Sequence, residues 1–201
     1  IISNWIIVFI LLLVNAFFVS AEFAIVRSRK VKIEQLTKDG NVEAKLALKA
    51  LEDMNFFIAA VQVGVTIASI GIGWFGSPTI EMMLKPLMAY FPSMHVYLAP
   101  ITAVVAFLVI TFLHVVIGEQ VPKCIALQYP EKISLYVAKP MNLFMTISKP
   151  FVWILNVSCN GILRLLRVPS NNTRVVHTIE DLDLLVDTSY DEGVLNETEK
   201  D

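Results

Sequence analysis

LAPITAVVAFLVITFLHVVIGEQVPK, Leu98 to Lys123, is the stretch that decides the fold. From Leu98 to Ile117 it is apolar apart from Thr102, Thr111 and His114. Twenty helical residues rise about 30 Å, the thickness of a bilayer's hydrocarbon core. The run ends on Gly118-Glu119-Gln120-Val121-Pro122-Lys123. Pro122 has no N–H, so a helix passing through it leaves the carbonyl of Gly118, four residues back, without its usual donor. A freed carbonyl beside a carboxylate is a pair of oxygen ligands. Non-helical backbone at membrane depth survives only where it is buried in protein or lines a cavity. Two readings follow: a cation site, or an ordinary helix stop with an interfacial Glu119.

Two further segments are long enough to span: Trp5–Val26 and Phe56–Phe75. The first has no basic region ahead of it and is too long for a signal peptide. The chain is 56% hydrophobic with a mean hydropathy of +0.66, above the 45–50% apolar content usual in soluble domains. The expected fold is therefore an all-α membrane protein. It has three transmembrane helices, at about 5–26, 56–75 and 98–117, within a domain covering 1–167. A net charge of −2 gives no reason to expect nucleic acid. Cys124 and Cys159, the two cysteines, read as reduced structural thiols.

Basic residues set the expected orientation. Arg27, Arg29, Lys30, Lys32, Lys38, Lys45 and Lys49 lie between the first two spans, against Lys85 alone between the second and third. The positive-inside rule puts 27–55 in the cytoplasm of a multi-pass cell-membrane protein, the N-terminus outside and the C-terminus inside. Within 30–53 apolar residues recur at helical spacing on either side of Asp39-Gly40-Asn41, predicting two short amphipathic helices with a basic face toward anionic headgroups. Residues 131–167 carry two Lys-Pro pairs, at 139–140 and 149–150, and their longest clean apolar run, Phe151–Leu163, is too short to span comfortably. With cytoplasmic flanks on both sides they form either a shallow kinked hairpin or, as favoured here, a juxtamembrane helical belt. Pro169–Thr173 reads as a polar linker, and Ile179–Val186 opens an acidic amphipathic helix leading into a cytosolic domain.

The spans carry polar residues in register. Ala60, Gly64 and Ala68 form a small-residue face suited to close helix packing, while Gln62, Thr66, Ser69 and Gly73 form a separate polar stripe. Asn15 and Glu22, seven residues apart in the first span, share a face, with Ser20 near them. A carboxylate at such a depth is functional or paired; Arg27 and Lys30 are the partners at hand. His114 stands one turn before Gly118 and is as readily a structural residue bonding across to another helix. The donors available are oxygens, from Glu119, Glu22, Asn15, Gln62, Thr66, Ser69 and the Gly118 carbonyl, and oxygens select hard cations such as Mg²⁺, Ca²⁺, Mn²⁺ or Na⁺. There is no P-loop, GxSxG or HExxH, so no enzyme is expected.

Three stretches together resemble the transmembrane domain of the CorC/CNNM family of magnesium transporters, of the bacterial CorC-like, hemolysin type. They are Asn15-Ala-Phe-Phe-Val-Ser-Ala-Glu22-Phe-Ala, Gln62-Val-Gly-Val-Thr66-Ile-Ala-Ser69-Ile-Gly-Ile-Gly-Trp, and His114-Val-Val-Ile-Gly118-Glu119-Gln-Val-Pro122-Lys123. The tail from Thr178 resembles the lead-in to that family's CBS-domain pair, so 168–201 is expected to be a linker and the start of that module. The resemblance implies a homodimer that exports Mg²⁺ on the inward Na⁺ gradient by alternating access, holding one largely dehydrated ion between the spans. Glu119 would be the charged ligand, joined by the Gly118 carbonyl, Gln62, Thr66 and Asn15. Ser69, Ser20 and Glu22 are further candidates, Glu22 or the second-span stripe for Na⁺. Pro122, Lys123 and His114 would be structural or gating residues, and Ala60, Gly64 and Ala68 would pack helices or a dimer. Where many members carry hydroxyls four apart in the first span, this chain has Asn15 and Val19. A passive divalent-cation channel, and a non-transporting anchor or sensor for a cytosolic module, are the alternatives.

Overall fold

A computed structural model describes residues 2–88 and 95–166. The expectations for 168–201 lie outside them. Two compact units divide the chain, Ile1–Asn156 and Val157–Asp201. Among the described residues the structure is helical throughout, with helices α1 (Ile2–Arg27), α2 (Lys30–Lys38), α3 (Val42–Glu52), α4 (Met54–Met88), α5 (His95–Leu113), α6 (Val121–Gln128) and α7 (Pro130–Leu165). A seven-residue π-helical turn, His114–Gln120, joins α5 to α6.

Among the described residues three stretches are long and apolar enough to cross a membrane: Ile2–Arg27, Met54–Leu84 and Pro100–Gln128. The exposed surface of these helices is studded with large apolar side chains, among them Phe9, Ile70, Trp74, Phe107 and Phe112. Such a surface is unsuited to water and suited to lipid. The protein is an all-α, multi-pass membrane protein. Two spans run past the ends expected from the sequence. Pro78 and Pro86 lie inside α4, and the third span does not stop at Ile117 but continues through the π-turn into α6.

α1 is the central strut, lying against α4, the π-turn and α6, while α4 also packs on α5. Small residues set the α1–α4 approach. A Cβ on Gly64 would run into the Phe18 ring, and Ala60 and Ala68 are buried on the same face. Two apolar clusters result. Val8, Leu12, Ile72, Ile80, Ala106 and Ile110 fill one between the spans. The other gathers Phe18, Ala21 and Ile25 of α1 with Ile33, the alanines of α3, Phe57 and the inner stripe of α7.

α7 covers most of the segment for which a hairpin and a belt were the two expectations. It is a single helix of 36 residues with Pro140 and Pro150 inside it, and no turn divides it. Its buried residues, Ser134, Val137, Ala138, Met141, Met145, Ser148 and Val152, keep a helical period through Pro140 and Pro150. Ser134 Oγ lies 2.7 Å from Ser28 Oγ at the end of α1. Glu131 contacts Arg29 and Lys32, and Lys139 pairs with Glu43.

Candidate functional site

The site forms because Pro122 cannot continue an α-helical ladder into Gly118. Its ring would also clash with that carbonyl, and widening the turn by one residue moves the carbonyl aside. The backbone accordingly adopts i→i+5 bonding, seen where Val121 N–H reaches the Val116 carbonyl. Helix is kept, so the broken backbone expected from the sequence is instead a widened one. Turns of this kind are uncommon and concentrate at functional sites.

The Gly118 carbonyl is not left free. Asn15 Nδ2, on the buried side of α1, donates to it at 3.0 Å. That bond fixes the whole amide, since the carbonyl can only accept and the nitrogen must face it. Asn15 Oδ1 is then turned toward α4, where Ser69 Oγ donates to it at 3.3 Å. With its one hydrogen so used, Ser69 must accept from His114 Nε2, 3.2 Å away, which places a hydrogen on that nitrogen. His114 Nε2 also stands 3.5 Å from Glu119 Oε1. One chain of contacts thus links all three spans: Glu119, His114, Ser69, Asn15 and back to Gly118. Gly118 admits a side chain only if its neighbours yield by a few tenths of an ångström. A Cβ there would sit 3.0 Å from His114 Cδ2 and 3.1 Å from Asn15 Nδ2.

Asn15, Ser69, Gly118, Glu119 and His114 are therefore brought together. Ser20, Glu22, Gln62 and Thr66 are not. Gln62 and Thr66 are exposed, and Thr66 Oγ1 bonds back to the Gln62 carbonyl of its own helix at 2.7 Å. Ser20 and Glu22 are half-buried, and Glu22 makes no ion pair with Arg27 or Lys30 among the described residues. Pro122 is buried beneath the site, and the Lys123 ammonium lies over the Phe23 ring, 4.6 Å from its centre, tying α6 to α1. Among the described residues there is no group of three or more His, Cys, Asp or Glu able to hold a metal. Any cation held here would meet one carboxylate and neutral oxygens, a donor set for a hard ion. The contribution of Ser69 through His114 was legible only as a shared stripe; the contact itself depends on how α4 is rotated against α1.

A profile of the CNNM family, the cyclin M transmembrane N-terminal domain, matches residues 6–199, and the chain belongs to that family. It is 40% identical over 197 residues to the UPF0053 protein YrkA of Bacillus subtilis, covering 98% of this chain and 45% of that protein. A UPF0053 protein of Synechocystis, sll0260, is 37% identical over 194 residues, 96% of this chain and 43% of the relative. The polyamine export protein of Haemophilus influenzae is 31% identical over 192 residues, 94% and 43% of the two chains. The chain spans about half the length of the curated relatives it matches.

Proposed function

We propose that this chain is the membrane part of a Mg²⁺ transporter that exports the ion, driven by the inward Na⁺ gradient. The observation that carries the reading is the convergence of three spans on the Gly118 carbonyl and Glu119 at a π-turn. In the arrangement described, the polar groups satisfy one another and Asn15 points a donor at the carbonyl. A cation needs the opposite. Turning the Asn15 amide over would present Oδ1 beside the Gly118 carbonyl and the Glu119 carboxylate, and would make Ser69 an acceptor toward Asn15. The closed network then corresponds to the ion-free state, and the amide flip to loading. Because Mg²⁺ demands near-ideal oxygen ligands at 2.0–2.1 Å and dehydrates reluctantly, a network that rearranges can both capture and release it. Transport, not enzymatic catalysis, is what such a site supports.

The remaining parts of the reading follow the family and the charge pattern. They are a homodimer in the cell membrane, the basic segment 27–55 in the cytoplasm, a Na⁺ site involving Glu22 or the exposed Gln62–Thr66 stripe, and a cytosolic CBS module following in the full protein. The Haemophilus relative's name favours a second cargo. Glu119 and the carbonyl are acceptors, and an alkylammonium could donate to them as a metal would coordinate them.

Reconstituted flux separates these. The chain and its Glu119→Gln variant would be tested with Mg²⁺ and with spermidine, with and without a Na⁺ gradient. The expected result is gradient-dependent Mg²⁺ flux that disappears in the variant. Flux indifferent to Na⁺ indicates a channel, spermidine flux the organic cargo, and no flux of either an anchor. Undiminished Mg²⁺ flux in the variant would remove Glu119 from the mechanism.

A further inference from the structure

The cytoplasmic-side helices enclose a recess of about 160 Å³ that the ion site does not use, lined by Lys49, Asp53, Phe56, Asn142, Thr146 and Lys149, with Met145 behind. It lies at the junction of α3 and α4, opposite the middle of α7. Asp53 immediately precedes α4, whose spanning stretch begins at Met54, so the recess sits at the membrane boundary where headgroups lie.

Its chemistry is selective. On these helices Lys30 faces Glu34, Lys32 faces Glu131 and Lys139 faces Glu43, while Lys38, Lys45 and Lys132 make no ion pair among the described residues and do not line this recess. Lys49 and Lys149 reach the recess from two different helices and have no acidic partner among the described residues. The one acid lining it, Asp53, accepts from the Phe56 N–H at 3.4 Å. Two ammonium groups against one carboxylate leave a single net positive charge, which a phosphodiester monoanion balances and a dianionic monoester would overfill. The Asn142 amide supplies a donor for the remaining phosphate oxygens. Phe56 and Met145 give an apolar side against which a glycerol stem can rest.

We propose that this recess binds the phosphodiester headgroup of an anionic membrane phospholipid, clamping α7 to the α3–α4 junction. The purified chain in detergent would be titrated with phosphatidylglycerol, with phosphatidylcholine and with inorganic phosphate, and adducts read by native mass spectrometry. Lys49→Gln/Lys149→Gln would be compared with Lys38→Gln/Lys45→Gln, which removes the same charge from exposed positions away from the recess. The first pair is expected to weaken phosphatidylglycerol binding about tenfold or more, and the second to leave it within about twofold. Equal loss in both pairs, or equal binding of phosphatidylcholine, would overturn the site in favour of diffuse attraction to a charged surface. Inorganic phosphate binding that is lost only in the first pair, without phosphatidylglycerol binding, would keep the phosphate site and overturn its lipid source.

Discussion

Prolines lie inside α4, in the α5–α6 path and in α7, and the last two of these carry them differently. At Pro122 the backbone widens into a π-turn, and the carbonyl deprived of its donor belongs to Gly118, which is buried and takes an N–H from Asn15 instead. At Pro140 and Pro150 α7 keeps its course without such a turn. There the carbonyls that lose donors belong to Tyr136 and Thr146, both exposed, where water or headgroups can satisfy them. Proline alone marks nothing. What makes a site of the first is burial, the missing side chain at Gly118, and a polar side chain on another span aimed at the gap.

The largest effect that would break this comparison falls on the acids. Glu119→Gln should abolish flux, whereas Glu131→Gln, on an acid that bridges Arg29 and Lys32 at the surface, should leave flux within about twofold and stability within about 1 kcal/mol. Reconstituted flux and thermal unfolding of both variants would show it; equal loss in the two would mean that neither region is special.

Next come the amides and hydroxyls. Asn15→Leu would strand the Gly118 carbonyl and remove the acceptor of Ser69, at a loss of about 1–3 kcal/mol. Thr146→Val removes only a bond to the Asn142 carbonyl of its own exposed turn and should change stability by less than about 0.5 kcal/mol. Glycines sharpen the contrast further. Gly118→Ala forces a methyl against His114 and Asn15, for about 1–3 kcal/mol of destabilisation, while Gly161 in α7 has nothing within 4 Å and its change to Ala should stabilise by about 0.5–1 kcal/mol. Thermal unfolding in one detergent ranks all four.

Much of this contrast could be read in the sequence, and the remainder fails for physical reasons. Twenty-residue apolar runs announce spans, and Pro122 next to Gly118-Glu119 announces a freed carbonyl. Helix ends are less legible, because prolines at 78, 86 and 122 are accommodated instead of terminating their helices. Spacing placed Gln62, Thr66 and Ser69 on one stripe but could not say how α4 is turned. The close approach of Gly64 to Phe18 fixes that rotation, leaving Ser69 toward Asn15 and the other two outside. In α7 the signal was present and outweighed by its punctuation: the stripe from Ser134 to Val152 never loses period, but the two Lys-Pro pairs suggest breaks.

The smallest effect separates how the two regions are held. The proposed ion site is joined by hydrogen bonds of Asn15 and Ser69, whereas α7 is held partly by carboxylates outside the spans. The Lys139 ammonium, by hydrogen bond and charge, keeps the Glu43 carboxyl below its ordinary value of 4.5. Glu131 is likewise lowered, first by the backbone N–H of its own helix start and then by Lys32 and Arg29. A carboxyl whose folded pKa is depressed stabilises fully above its unfolded value and loses that contribution as pH falls through the folded one. Hydrogen-exchange protection of the α7 amides, corrected for intrinsic rate, should therefore be level from about pH 8 to 5 and decline below about 4.5. At 1 M salt the screened pairs should already be weakened at neutral pH. Protection around Asn15 and Ser69 should not follow salt in that way, because their hydrogen bonds join neutral groups that no added ion screens. If salt loosened the π-turn and α7 together, the two regions would be one cooperative unit, and the proline in each would be answered by the same forces.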